Sequence, residues 1–183
     1  MPTFLKIFLF GIDKSGKTTL SQTLRTGKYG GDAFPTTRFD IQSMFIHHFE
    51  KAIEFRVWDA PGQISYRDVW NEGYEQSHIM VFVLDTAEKE RYEQAKKALN
   101  QVINAKATLG VPLLFLFHKI DLTLAKNNYY AAQDFFKPSL IITRDVYQLH
   151  TSVKDQGTMD NVKEILAFIV KKDREFKWSG KLR

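Results

Sequence analysis

Gly11-Ile12-Asp13-Lys14-Ser15-Gly16-Lys17-Thr18 has the spacing G-x-x-x-x-G-K-[ST]. A loop of this kind holds phosphate. Backbone N–H groups of the loop, and of the helix that begins inside it, converge on the anion. Glycine lets the backbone approach closely. On this reading Asp13, Lys14, Ser15, Gly16, Lys17, Thr18 and Thr19 line the phosphates of a nucleotide. Lys17 reaches the β- and γ-phosphates, and the Thr18 hydroxyl is a ligand for Mg²⁺. The plainer alternative is a glycine turn that caps a helix.

Three further stretches fit the same chemistry. Trp58-Asp59-Ala60-Pro61-Gly62-Gln63 follows a strand-like run. A carboxylate at a strand end, Asp59, holds Mg²⁺ through water; Gly62 offers a backbone N–H to a γ-phosphate, and Gln63 orients an attacking water. Alone, D-x-P-G-Q is only a turn signal. In His118-Lys119-Ile120-Asp121 the Asp121 carboxylate suits the two donors on guanine's N1 and 2-amino group, a pair adenine lacks, while the stem of Lys119 lies across the base. Thr151-Ser152-Val153-Lys154 aims a backbone N–H at guanine O6, or is simply a turn that caps the last helix.

The elements that must position these residues alternate. Apolar runs at 4–10, 79–84 and 111–117 read as buried strands. Residues 39–48 and 52–58 read as a hairpin and 140–149 as a further strand. Helical stretches are expected at 17–25, 88–106, 127–136 and 161–172, with a Gly- and Thr-rich loop over 26–37. Strands alternating with helices predict an α/β layered fold whose mostly parallel sheet is covered on both faces. No repeat or linker divides the chain, so 1–172 is read as one nucleotide-binding domain and 173–183 as a basic tail.

Composition narrows the classes. Hydrophobic residues at 44% and charged residues at 26% describe a folded globular chain rather than a disordered one. With no cysteine, disulfides, prenylation and palmitoylation are excluded. Pro2 rules out N-myristoylation, and no signal peptide or membrane-spanning run is readable, so a cytoplasmic location is expected. The charge of +5 is modest, and nucleic acid is not expected as a partner. Lys171, Lys172, Arg174, Lys177, Lys181 and Arg183 allow at most peripheral contact with an anionic membrane.

In order and spacing these motifs resemble the Ras superfamily of small GTPases, over essentially the whole chain. Gly11-Ile12-Asp13, Phe34-Pro35-Thr36 through Phe39, Phe55-Arg56-Val57-Trp58-Asp59 and Val83-Leu84-Asp85 are similar to the Arf family, whereas the H-K-x-D of 118–121 is similar to the Rag/Gtr GTPases. The resemblance implies a three-layer P-loop NTPase G domain with a six-stranded sheet, GTP and GDP as ligands, and Mg²⁺. It makes Thr36 the switch I metal ligand, with Thr37 adjacent. Phe39, Trp58 and Trp70 would be aromatic anchors for effectors and regulators, and a homo- or heterodimer is open. His118 stands where asparagine is usual, so the tie between base pocket and phosphate loop must be made differently. Pro61 stiffens the turn before Gly62. No arginine lies just before Thr36, so hydrolysis is expected to be slow without a partner. A binding module with negligible turnover and, more weakly, a nucleotide kinase are the competing functions.

Overall fold

The computed structural model describes the backbone of residues 4–48 and 51–179. Its six strands are β1 (Leu5–Phe10), β2 (Asp40–His48), β3 (Lys51–Asp59), β4 (Ile79–Asp85), β5 (Leu113–His118) and β6 (Val146–Thr151). They form one sheet in the order β2-β3-β1-β4-β5-β6. All neighbours run parallel except the β2–β3 hairpin, which is antiparallel and leaves β2 at the edge. The expected six-stranded, mostly parallel α/β sheet is the one observed.

Two cores cover the two faces. Ile7, Leu9, Val57, Val81 and Leu114 pack with Leu20 of α1 (Lys17–Thr26) and with Val162, Leu166 and Ile169 of α5 (Gln156–Ser179). On the other face Phe8, Phe10, Phe82, Phe115 and Phe117 pack under α2 (Trp70–Tyr74), α3 (Tyr92–Ile103) and α4 (Thr123–Phe136). Alternate residues of each strand point to opposite faces, so one apolar run feeds both cores. That is why β4 and β5 are buried along their whole length.

Several element boundaries differ from expectation. The helix expected over 88–106 is broken into a 3-10 turn (Lys89–Arg91), α3, and a second 3-10 turn (Lys106–Thr108). A helix expected over 127–136 already starts at Thr123. The last helix starts at Gln156 and continues unbroken past position 172 as far as Ser179. Side chains from Asp173 onward, and with them most of the basic tail, lie outside the described residues.

The strand expected over 140–149 is the clearest miss. Pro138–Leu140 is a 3-10 turn, Leu140 and Ile142 are 69% and 91% exposed, and the strand begins only at Val146. Arg144 decides this. Buried with no carboxylate paired to it among the described residues, its guanidinium donates to the carbonyls of Thr108 (2.8 Å) and Ile103 (2.5 Å). It thereby ties the chain before β6 to the end of α3. Apolar periodicity carries no sign of a tie made by a polar group.

Candidate functional site

The phosphate loop is the turn from β1 into α1. Gly16, the residue before the helix, has φ +95°, and a Cβ there would stand 2.7 Å from the His118 ring. Only glycine meets both demands. The loop floors a cleft of about 280 Å³ lined by Asp13, Lys14, Gly16, Lys17, Thr18, Thr19, Thr36, Gly62, Gln63 and Lys119. Residues 32–35, which the motif reading did not assign to the site, close its outer side.

At one end three oxygen groups converge. The Thr18 hydroxyl donates to Asp59 Oδ2 at 2.5 Å and lies 2.8 Å from the Thr36 hydroxyl. Thr36 rather than exposed Thr37 is the residue brought to this point. The second carboxylate oxygen of Asp59 is buried and has no protein partner among the described residues. Burial, opposed by Lys17 and Thr18, lifts the Asp59 carboxyl to about 6. Burial likewise lowers Lys17 to about 8, against the pull of Asp59 and Asp13, and its ammonium donates to the Ile12 carbonyl at 2.8 Å. Hydroxyl and carboxylate oxygens around a buried acid suit a hard cation such as Mg²⁺. The buried ammonium suits an anion beside it.

Gly62 packs directly on the loop: a Cβ there would stand 2.5 Å from the Asp13 nitrogen. Two side chains brace this turn. Trp70 Nε1 donates to the Pro61 carbonyl at 2.8 Å, and buried Arg67 donates to the Gly62 carbonyl through Nε (3.0 Å) and Nη2 (2.8 Å). Gln63 follows, half-buried in the cleft wall. Trp70 is therefore not the exposed anchor expected of it. It is fully buried, edge-on to Phe8 and Phe10. Phe39 and Trp58 are half-buried and meet edge-to-face at 5.5 Å. Phe39 lies so close to Gly73 that a Cβ there would overlap its ring. The apolar groups exposed beside the turn are instead Ile41, Ile64, Tyr66 and Val69.

The base-recognition residues sit at the far end. Lys119 Nζ donates to the Lys14 carbonyl (2.7 Å) and to Asp85 Oδ2 (2.6 Å), which lays its stem along the cleft. Asp121 accepts from the Ser152 hydroxyl at 2.7 Å and pairs with Lys154 at 3.2 Å. Burial works against the Asp121 charge, but these bonds outweigh it and hold the carboxyl below its usual range. Val153 is half-buried between Ser152 and Lys154. Three residues to which the sequence reading gave no site role join the site: Asp85, Arg67 and Arg91. Asp85 ends β4 as His118 ends β5, and the two are register partners, a signal visible only once the strands are paired.

His118 meets the phosphate loop by packing. Its ring lies against Gly16, and Nδ1 is 2.8 Å from the Thr151 hydroxyl. Burial, reinforced by Lys119, pushes its pKa down to about 4, so the ring is neutral. Unfolded, the same ring titrates near 6.5. Below that pH the unfolded chain takes up a proton that the folded chain refuses. This stability is therefore complete above pH 6.5 and is lost as pH falls toward 4, by on the order of 3 kcal/mol. Denaturant titrations at about pH 7 and about pH 4.5 should show His118→Asn losing less stability on acidification than wild type. Equal slopes would show that the folded ring titrates normally.

A phosphate loop opening the first helix, a D-x-P-G-Q turn packed on it and a lysine–aspartate pair at the far end of the cleft define a P-loop GTPase. Residues 3–170 match the ADP-ribosylation factor family, Arf, and the chain belongs to that family. It is 28% identical over 162 residues to ADP-ribosylation factor-like protein 8d of Arabidopsis thaliana, covering 88% of this chain and 89% of that one. Protein 8c of the same plant is 27% identical over 158 residues, covering 86% and 83%. In fold the chain is similar to the Arl6 BBS3 small GTPase of Trypanosoma brucei, solved with the nucleotide analogue GppNp. That likeness has a TM-score of 0.75 at 19% identity, over 91% of this chain and 98% of that one. Arf-family proteins are GTP hydrolases, and the chain is a GTPase that binds guanine nucleotide. Among the described residues no helix is long and apolar enough to cross a membrane.

Proposed function

We propose that the chain is a Mg²⁺-dependent GTP/GDP switch whose intrinsic hydrolysis is slow, with 1–172 as the nucleotide-binding domain and 173–183 as a basic appendage. The observation that carries this reading is the convergence of Thr18, Thr36 and Asp59 at one end of a cleft that also contains Lys17 and Gln63. Thr36 comes from the long loop between α1 and β2, so a ligand gripped at this point would hold that loop in place. Thr18 and Thr36 would hold the metal directly and Asp59 through water. The bound ion would neutralise charge developing on the phosphates. Lys17 and the loop N–H groups cradle the phosphates, Gly62 offers its N–H to the last of them, and Gln63 holds a water for attack. Asp121 reads the guanine, Lys119 covers its face, and Ser152, Val153 and Lys154 shape the edge of the pocket.

Partners would engage at the switch loops through Phe39 and Trp58, joined by exposed Ile64 and Tyr66, with Trp70 serving as the brace beneath. His118 keeps the Rag-like form of the base motif within an Arf-family chain. A cytoplasmic location, with membranes reached only through a partner or the basic appendage, is supported by the absence of cysteine. The non-hydrolysing module remains the second reading because the Pro61 and Gly62 carbonyls are both held.

Thr18→Asn tests the metal assignment. With Mg²⁺ present, GTP affinity should fall by more than an order of magnitude while GDP affinity falls far less, because the metal that Thr18 would help to hold would neutralise phosphate charge, of which the triphosphate has more. Nucleotide titrations in which both affinities match wild type would remove Thr18 from the site.

A further inference from the structure

Asp13 places a carboxylate in the wall of the phosphate cleft, at the end marked by Gly62 and Gln63. That end would receive the third phosphate, the group that distinguishes GTP from GDP. A free carboxylate there repels a triphosphate more than a diphosphate. In this fold it is not free. Arg91, which precedes α3, donates through Nη2 to Asp13 Oδ1 at 2.7 Å and through Nη1 to the Asp13 carbonyl at 3.1 Å. The same guanidinium pairs with Glu88 at 3.1 Å and donates to Gln94 Oε1 at 3.2 Å. The two partners are only 22% and 29% exposed, so solvent screens the pair incompletely. Fixing both the side chain and the carbonyl of one residue determines where its carboxylate points.

We infer that Arg91 is a positioning residue that sets the preference of this site for triphosphate over diphosphate, by holding the Asp13 carboxylate aside and cancelling its charge. The inference rests on the guanine-nucleotide reading above. Without Arg91, the carboxylates of Asp13 and Glu88 lose their shared cation. Asp13 is then left close to an added negative group, a repulsion of about tenfold in affinity at roughly 3 Å even in the dielectric of water.

Affinities of the full chain for GppNp and for GDP, with Mg²⁺ present, test this. Arg91→Met should lower GppNp affinity about tenfold and barely move that for GDP. Adding Asp13→Asn to Arg91→Met should restore the wild-type ratio, and Arg91→Lys should keep it. Parallel loss of both nucleotides, or no restoration by Asp13→Asn, would make Arg91 a structural residue only and overturn the inference. Should Arg91→Met fail to fold, Arg91→Gln decides, because it keeps hydrogen-bond donors beside Asp13 but removes the charge. A loss of GppNp affinity that spares GDP supports the inference, and equal changes for the two nucleotides, or none, overturn it. Wild-type protein that binds neither nucleotide would sink the underlying reading, whereas normal wild-type binding with a failed rescue would sink this inference alone.

Discussion

Asp121→Asn should reduce affinity for guanine nucleotides by roughly 10⁴-fold, because a site built around a hydrogen-bonding pair leaves its own group unpaired when the match is lost. The wild-type carboxylate is pre-set for this role. Ser152 fixes one oxygen and Lys154 approaches the other, so the group stays ionised and acceptor-only. Asparagine keeps one acceptor and turns an amide donor toward guanine's donors. Xanthine carries an acceptor at the matching position, so the same variant should gain affinity for xanthosine triphosphate. Competition titrations of GTP against XTP read both effects. If wild type binds ATP as tightly as GTP, Asp121 is not the base reader. The ion pair with Lys154 adds little, since Lys154 is largely exposed. The Ser152 hydroxyl carries the orientation.

The second large effect concerns turnover. Gln63→Leu should slow single-turnover GTP hydrolysis by about 10²-fold and leave GTP affinity unchanged, because the side chain acts on the attacking water and not on the nucleotide. The wild-type rate should itself be low. No arginine lies in the short stretch just before Thr36, and an arginine delivered to the transferring phosphate is worth roughly 10³ to 10⁵ in this class. The two arginines that reach that end are both engaged, Arg67 on the Gly62 carbonyl and Arg91 on Asp13. Pro61 makes the experiment decisive. Its carbonyl is held by Trp70 and its successor's by Arg67, so Gln63 leaves a turn fixed from both sides. If that turn keeps Gln63 off the water, wild type and Gln63→Leu will share one residual rate, which would favour the non-hydrolysing module.

Much of this was legible in the residue order. A motif whose chemistry lies in consecutive residues survives any tertiary arrangement. The stretch from Gly11 to Thr18 therefore announced a phosphate loop, and three apolar runs of strand length announced a sheet buried on both faces. Asp59 and Asp121 were found because each follows an apolar run. In a parallel sheet those run ends gather on one edge.

Contacts between residues distant in sequence were not legible. Nothing in the sequence distinguished Trp70, which is a buried brace, from Trp58, which is half-exposed; position relative to Phe8 and Phe10 decides that. The spacing of Arg91 suggests an ordinary solvated helix charge until the fold brings it to Asp13 across 78 positions. Arg144 ends an apolar run that looks like strand, and only its bonds to three backbone carbonyls show why the strand starts later. Local chemistry and periodicity follow from covalent order, and so the sequence by itself determined the fold class and the ligand class. Partnering of polar groups depends on which chain segments the hydrophobic core brings together, and so only the tertiary structure decided how the loop, the turn and the base pocket are held.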